Sequence, residues 1–369
     1  MKRKVLILGA SYGSLLGTKL LMAGHDVCLV CTEATAQLIR RQGTLVRMPI
    51  RGRAAPLEIG SDALAGILSA WAPETTDPGE YDLVVLGMQE PQYGSRGVRD
   101  LIRRVARSRK PCLAIMNMPP VPYLQRIPAL ATEALNACYA DPGVWEDFDP
   151  RLITLASPDP QAFRPPDQPK NVLQVGLATN FKAARFDAEQ PTALLRSLEA
   201  DIEGARFQCD GVAIEVPVKL KVHDSIFVPL AKWPMLITGN YRCVRASDMI
   251  SIRDAVHEDL DASREIYERV ADLCVRLGAQ PVDLVPFEKY AAAAEDLRKP
   301  SAAARAITGG AQQIERVDRL VQAIGRLIGL DFEALDEIVA RVERRLELNR
   351  SAPDRHEPAF GLAAVAATG

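Results

Sequence analysis

Lys4-Val-Leu-Ile-Leu-Gly9-Ala-Ser11-Tyr12-Gly13-Ser14-Leu-Leu-Gly17, running on to Gly24-His25-Asp26-Val-Cys-Leu-Val30, is the stretch that decides the fold. The apolar run before Gly9 has the length of a short buried strand, the residues after Gly13 read as a helix, and Asp26–Val30 reads as a second strand. Strand, glycine turn, helix and strand within thirty residues predict a right-handed βαβ unit. Its helix N-terminus offers unpaired N–H groups and the positive end of a dipole to a phosphate. Gly9 is expected to permit the tight turn, Gly13 a close approach of backbone to a pyrophosphate, and Gly17 the packing of helix on sheet. Gly9, Ser11, Tyr12, Gly13 and Ser14 are therefore candidate contacts for a dinucleotide. The spacing departs from G-x-G-x-x-G, with Ser11 at the second glycine position and the turn one residue short. The same letters spell the G-x-S-x-G nucleophile elbow, but an elbow needs earlier strands to build its sheet, and this motif follows the first strand of the chain.

Working outward, the second strand ends in Cys31-Thr32-Glu33, without an acid at the position that usually takes the ribose 2′-OH. Thr32, with Arg40 or Arg41, could instead meet a 2′-phosphate, which favours NADP and leaves NAD possible. Tyr81–Gly87 reads as a further strand, Val98–Arg109 as a basic helix, and Pro111–Ile115 as the next strand. Ligands of such sheets lie beyond the carboxyl ends of the strands, so Gln89 and Asn117 become candidates to touch the cofactor or substrate. Prolines crowd residues 141–170, an excursion in which only Leu152–Leu155 looks strand-like. Strand signals return at Asn171–Leu177 and at Phe207–Val216. Beyond them the pattern is helical, as in Ile252–Leu277 and Gln312–Leu346. The expected architecture is α/β: a Rossmann-like doubly wound sheet domain over 1–216, an all-helical domain for substrate and dimerisation over 217–349, and a disordered tail over 350–369.

Composition narrows the function. Lys and Arg total 45 against 47 Asp and Glu, a net charge of -2, which provides no general basic field for a nucleic-acid backbone. Apolar runs such as Leu83–Met88 are far shorter than the roughly 18 residues of a membrane helix, so no membrane partner is expected. No export signal is visible, and seven scattered cysteines suit reduced thiols in a cytoplasmic protein. Cys28 and Cys31 make a C-x-x-C spacing without a second pair, and no His/Cys/Asp/Glu cluster has complete metal-ligand spacing, so no metal is expected. Of the four histidines, His25 reads as structural, whereas His223 lies near Lys221 and Asp224 and could join a proton relay.

From Lys4 to about Leu346 the chain resembles the ketopantoate reductase family (2-dehydropantoate 2-reductases). The resemblance rests on Lys4–Gly9 through Gly24–Val27, on Tyr81–Leu86, on Met116-Asn117, and on Pro300-Ser301 through Gln312-Gln313-Ile-Glu315 to Leu327-Ile-Gly329. It implies a nicotinamide cofactor and reduction of a small 2-keto acid, with a lysine that protonates the oxygen as hydride reaches carbon. The run Ile214–Lys221 matches the segment that ends in this lysine, which nominates Lys221, with Lys219 and Lys232 as rivals. A lysine suits the role because the alkoxide formed on reduction needs a proton or cation nearby. Substrate contacts implied in the same way are Asn117, Ser225, Ser301 and Gln313. The family's two substrate-side asparagines fall near Asp224-Ser225 and Val228, and its glutamate falls on Gln313, with Glu315 two residues on. Thr32 and Gln89 stand where the family has basic residues on the cofactor side. Loss of a carboxylate at Gln313 alters substrate recognition, so the acid need not be ketopantoate. Helical domains of this type pair across apolar faces, which makes a homodimer the expected state. Two further readings remain open: a dinucleotide-binding sensor that has lost catalysis, and an opine-dehydrogenase-like enzyme.

Overall fold

In a computed structural model of the protein, residues 1–352 are described, and the remainder of the expected tail lies outside them. The chain divides into two compact units: Met1–Arg126 with Gly143–Asp224, and Ile127–Pro142 with the chain from Ser225 onward. The expected domain boundary at 216 falls inside the first unit, because the sheet gains a last strand after it.

The first unit runs β1 (Lys4–Leu8), α1 (Gly13–Met22), β2 (Asp26–Val30), α2 (Glu33–Gln42), β3 (Leu45–Met48), β4 (Leu57–Gly60), β5 (Leu68–Trp71), β6 (Leu83–Leu86), α3 (Val98–Ser108), β7 (Cys112–Ile115) and α4 (Val121–Leu124). It resumes with β8 (Ile153–Ser157), β9 (Gln161–Phe163), β10 (Val172–Leu177), β11 (Phe181–Ala184), α5 (Glu189–Gly204), β12 (Phe207–Cys209), β13 (Val212–Ile214) and β14 (Leu220–His223). The main sheet has the order β14-β11-β8-β7-β6-β1-β2-β5. From β8 to β5 the strands are parallel, while β11 runs against β8 and β14 runs with β11. Central strands read as unbroken apolar runs, Val5–Leu8 and Leu83–Leu86 being fully buried, as a sheet covered on both faces requires.

The two strand segments read beyond the excursion are strands, but they lie outside the main sheet. Asn171–Leu177 does not join the main sheet. As β10 it pairs with β3 and β9 in a second sheet of order β4-β3-β10-β9. Phe207–Val216 is likewise a separate hairpin, β12 with β13. The strands that complete the main sheet are Phe181–Ala184 and Leu220–His223. They are short, and their Lys-Ala-Ala and Lys-Val-His sequences carry little alternation.

The second unit contains the turn Pro229–Lys232, α6 (Trp233–Met235), a π-helical turn Leu236–Tyr241, α7 (Ile252–His257), α8 (Leu260–Arg276), α9 (Phe287–Ala294), α10 (Ala302–Thr308), α11 (Val317–Leu327) and α12 (Glu333–Ser351). On α8 the buried residues Ser263, Ile266, Tyr267, Val270, Leu273 and Cys274 fall at helical spacing and make one core-facing stripe. Asp318, fully buried on α11, accepts both Nε and Nη2 of Arg316 at 2.9 Å, and Glu343 of α12 takes another guanidinium N–H.

Candidate active site

β1 is the switch point of the main sheet, with β2 on one side and β6 on the other, where open α/β sheets leave a crevice. Four loops leave the carboxyl ends of adjacent strands: Gly9–Tyr12 after β1, Cys31-Thr32 after β2, Gly87–Gln89 after β6, and Met116-Asn117 after β7. The sequence candidates Gly9, Ser11, Tyr12, Gly13, Thr32, Gln89 and Asn117 thus share one edge of the sheet.

The turn is fixed by backbone. Gly9 donates its N–H to Val30 O at 2.9 Å, and Gly87 donates to Leu8 O at 2.9 Å. Gly9 has φ +105°, and a Cβ there would stand 2.7 Å from Met88 Cγ and 2.8 Å from Gly87 O, so only glycine fits. The first helical bonds run from Ser14 N to Ser11 O and from Leu15 N to Tyr12 O, both 3.1 Å. The N–H groups of Ser11, Tyr12 and Gly13, ahead of them, have no backbone acceptor among the described residues. These donors at the N-terminus of a ten-residue helix fit a dinucleotide pyrophosphate despite the altered glycine spacing.

Two details of the turn differ from expectation. A Cβ on Gly13 would lie 2.5 Å from Ile7 Cγ2, so this glycine serves the packing of α1 on β1 in addition to any approach by a ligand. Ser14 is buried and returns its hydroxyl to Ala10 O, which directs it into the helix rather than toward a ligand. Thr32 and Gln89 also carry local duties. Thr32 Oγ1 donates to Thr35 Oγ1 at 3.0 Å, and Gln89 N donates to Gln92 Oε1 at 3.0 Å.

Lys221 lies on β14, the edge strand, with Nζ 2.7 Å from Glu203 Oε2 of α5. That hydrogen bond raises the pKa of the ammonium and holds it charged. Lys219 is buried between Glu215 at 3.1 Å and Glu203 at 3.6 Å. Two strands separate β14 from β7, three steps that span on the order of 14 Å at about 4.8 Å each. Both lysines are thus engaged at the sheet edge, away from the switch point. His25 is buried, with Nε2 3.3 Å from Asp201 Oδ2, and burial lowers its pKa.

In the helical unit, Ser301 caps α10 by accepting from Ala304 N at 3.1 Å, and its hydroxyl donates to Asn240 O at 2.7 Å. Tyr241 donates to Glu315 O at 2.5 Å and accepts from Val317 N at 3.0 Å. Ser301 and the segment entering α11 are therefore both tied to the π-helical turn. Such turns recur at functional sites, and nothing in the apolar periodicity marks this one. Gln313 is exposed, whereas Glu315 is buried. Ser225 has partners of its own: its Oγ donates to Asp283 Oδ2 at 2.8 Å and accepts from Phe227 N at 3.2 Å.

Among the described residues no group of three His, Cys, Asp or Glu side chains is arranged to hold a metal ion, and no helix is long and apolar enough to cross a membrane. All seven cysteines are free; burial pushes the Cys31 thiol up to about 12.

No family model and no curated protein matches the chain by sequence. Solved structures do match over nearly its whole length. The 2-dehydropantoate 2-reductase of Methylococcus capsulatus superposes with a TM-score of 0.65 at 15% identity, covering 95% of this chain and 98% of its own. A D-mandelate dehydrogenase, in a ternary structure with NADH and anilino(oxo)acetate, superposes with a TM-score of 0.63 at 13% identity, covering 94% and 99%. A dimeric ketopantoate reductase of Staphylococcus aureus gives 0.58 at 10% identity, covering 94% and 99%. With identities this low the likeness is one of architecture, and the chain has the fold of the ketopantoate reductases and of D-mandelate dehydrogenase.

Proposed function

We propose that this protein is an NAD(P)H-dependent reductase of a small 2-keto acid, working as a cytoplasmic homodimer. The observation that carries the reading is the β1 turn: Gly9 at a conformation closed to other residues, followed by three backbone donors at the N-terminus of α1, at the switch point of a parallel sheet. The NADH-bound D-mandelate dehydrogenase of the same fold supports the cofactor class, and the dimeric S. aureus reductase supports the assembly. Seven free thiols suit a reducing compartment.

When bound, the nicotinamide supplies hydride to the carbonyl carbon. The backbone of Ser11–Gly13 would hold the pyrophosphate, with Gln89 and Asn117 bordering the same crevice. The substrate oxygen gains charge during reduction and needs a proton. Of the three lysines nominated, we assign the proton to Lys232. It lies in the turn leading to α6 and the π-helical turn, the stretch to which Ser301 and the Glu315 carbonyl are tied. The role first read for Lys221 thereby moves to its rival, while Ser301 and Gln313-Ile-Glu315 remain on the substrate side. Single-turnover oxidation of NADPH by a panel of 2-keto acids tests the assignment. Lys232→Ala should slow it by roughly two or more orders of magnitude, while Lys221→Ala leaves it within about threefold. The reverse pattern would return the role to Lys221.

A further inference from the structure

A buried phenol ties the π-helical turn to the segment that enters α11. Pro229–Lys232, α6 and Leu236–Tyr241 follow one another without a break, so Lys232 and Tyr241 stand at the two ends of one helical stretch, on the order of 13 Å apart at about 1.5 Å per residue. Tyr241 is 4% exposed, and its hydroxyl donates to Glu315 O at 2.5 Å while accepting from Val317 N at 3.0 Å. Burial, with Asp318 and Glu315 nearby, holds the phenol well above its usual range, so the hydroxyl stays a donor. Val317 is the first residue of α11, and Arg316 before it provides no side-chain cap. The Tyr241 hydroxyl therefore supplies the partner that the helix itself cannot give this N–H.

Both ends of this tie are anchored. Arg316 is buried and bonded to Asp318 and Glu343, so the segment 315–318 is held by side chain as well as by backbone. On the other side, Tyr290 of α9 donates to Met235 O at 3.1 Å, and Ser301 donates to Asn240 O at 2.7 Å. A Cβ on Gly239 would collide with the Tyr290 hydroxyl, so the glycine leaves room for that bond. Tyr241 thus joins two fixed pieces of backbone that are distant in sequence, and its hydroxyl sets the spacing between them.

We propose that Tyr241 is a positioning residue for the reduction: its two bonds fix the segment Gln313–Glu315 relative to the stretch that carries Lys232, so that the proton donor meets the keto oxygen. The inference rests on the keto-acid reading above and on Lys232 as the donor. Phenylalanine at this position keeps the ring and its packing but releases Glu315 O and Val317 N together. A displacement of reacting groups by about 1 Å costs on the order of 100-fold in rate.

The test is single-turnover oxidation of bound NADPH by the full chain, with pyruvate, 2-ketoisovalerate, ketopantoate and phenylglyoxylate as acids and the fastest of them used throughout. Tyr241→Phe should lower the rate at saturating acid by about 10- to 100-fold while NADPH affinity stays within about twofold. Tyr267→Phe is the control for a purely structural loss, since Tyr267 is also buried in the helical unit and donates its hydroxyl to Val285 O at 2.7 Å. It should lower the melting temperature by a few degrees, as Tyr241→Phe does, and leave the rate within about twofold. Val317→Pro removes the accepted N–H alone, at a first helical position where proline is tolerated, and should slow the step by about 3- to 10-fold. It carries the test if Tyr241→Phe does not fold. An unchanged rate in either variant, or an equal fall in Tyr267→Phe, would overturn the assignment. Lys232→Ala at the wild-type rate would overturn the lysine on which it rests, and a wild type that oxidises NADPH with none of the acids would overturn the reductase reading itself.

Discussion

Replacing Gly13 with alanine separates the two duties that the glycine turn combines. The new Cβ would stand 2.5 Å from Ile7 Cγ2, against an ordinary carbon contact of roughly 3.5–4.0 Å, so α1 must move off β1 by about 1 Å. Ile7 is fully buried in a parallel strand flanked by β2 and β6, and cannot easily yield. Overpacking of this kind costs about 1–3 kcal/mol, less some 0.4–1 kcal/mol gained from a stiffer unfolded chain, for a net loss of about 1–2 kcal/mol. Urea unfolding followed by circular dichroism reads the loss. Ile7→Ala alone should cost about 2–5 kcal/mol, but on that background Gly13→Ala should cost nothing further, a coupling of at least about 1 kcal/mol. Unchanged stability of Gly13→Ala, with weakened NADPH binding, would refute the packing argument and leave phosphate approach as the glycine's main duty.

Other perturbations follow from the buried charges. Lys19 of α1 is fully buried, donating to Val216 O at 2.7 Å, and burial brings its pKa down to about 7. The unfolded lysine keeps its proton up to about pH 10.4. Between these values the unfolded state holds more protons, so stability should rise with pH by up to about 1.4 kcal/mol per unit. Lys19→Met should flatten that rise between pH 7 and 9, and an unchanged slope would dismiss the depressed pKa. Asp318→Asn should cost about 3 kcal/mol in urea unfolding, because it leaves the buried Arg316 with only Glu343 for charge. A cost below about 1 kcal/mol would mean that water or neighbouring groups relieve the buried arginine.

Local chemistry made half of this molecule legible. Apolar runs bounded by glycine predicted β1, β2 and β6, and helical spacing predicted α8, α11 and α12, because each feature is written within a few consecutive residues. What escaped depends on distant segments. Phe181–Ala184 and Leu220–His223 are too short to announce themselves, and they become strands by pairing with each other and with β8. Val172–Leu177 reads correctly as a strand, yet one of its two partners is β3, where Val172 pairs with Leu45, and no local signal names so distant a pairing. The same holds for the site. Gly9 carries its turn in its own conformation, whereas the pairing of Lys221 with Glu203 of α5 exists only because the fold brings two distant segments together. Arg40, a reasonable phosphate ligand on sequence, is taken up by Glu33 and Trp71.

The central claim is that the β1 turn binds a nicotinamide dinucleotide for reduction of a keto acid. It is tested most directly by titrating the purified protein with NADPH and NADH, then mixing the complex with 2-keto acids and following a single turnover. The account predicts that NADPH binds and that at least one 2-keto acid oxidises it, with an equal amount of 2-hydroxy acid formed. Binding without oxidation by any acid would favour a sensor, and no binding of either dinucleotide would contradict the account at its root.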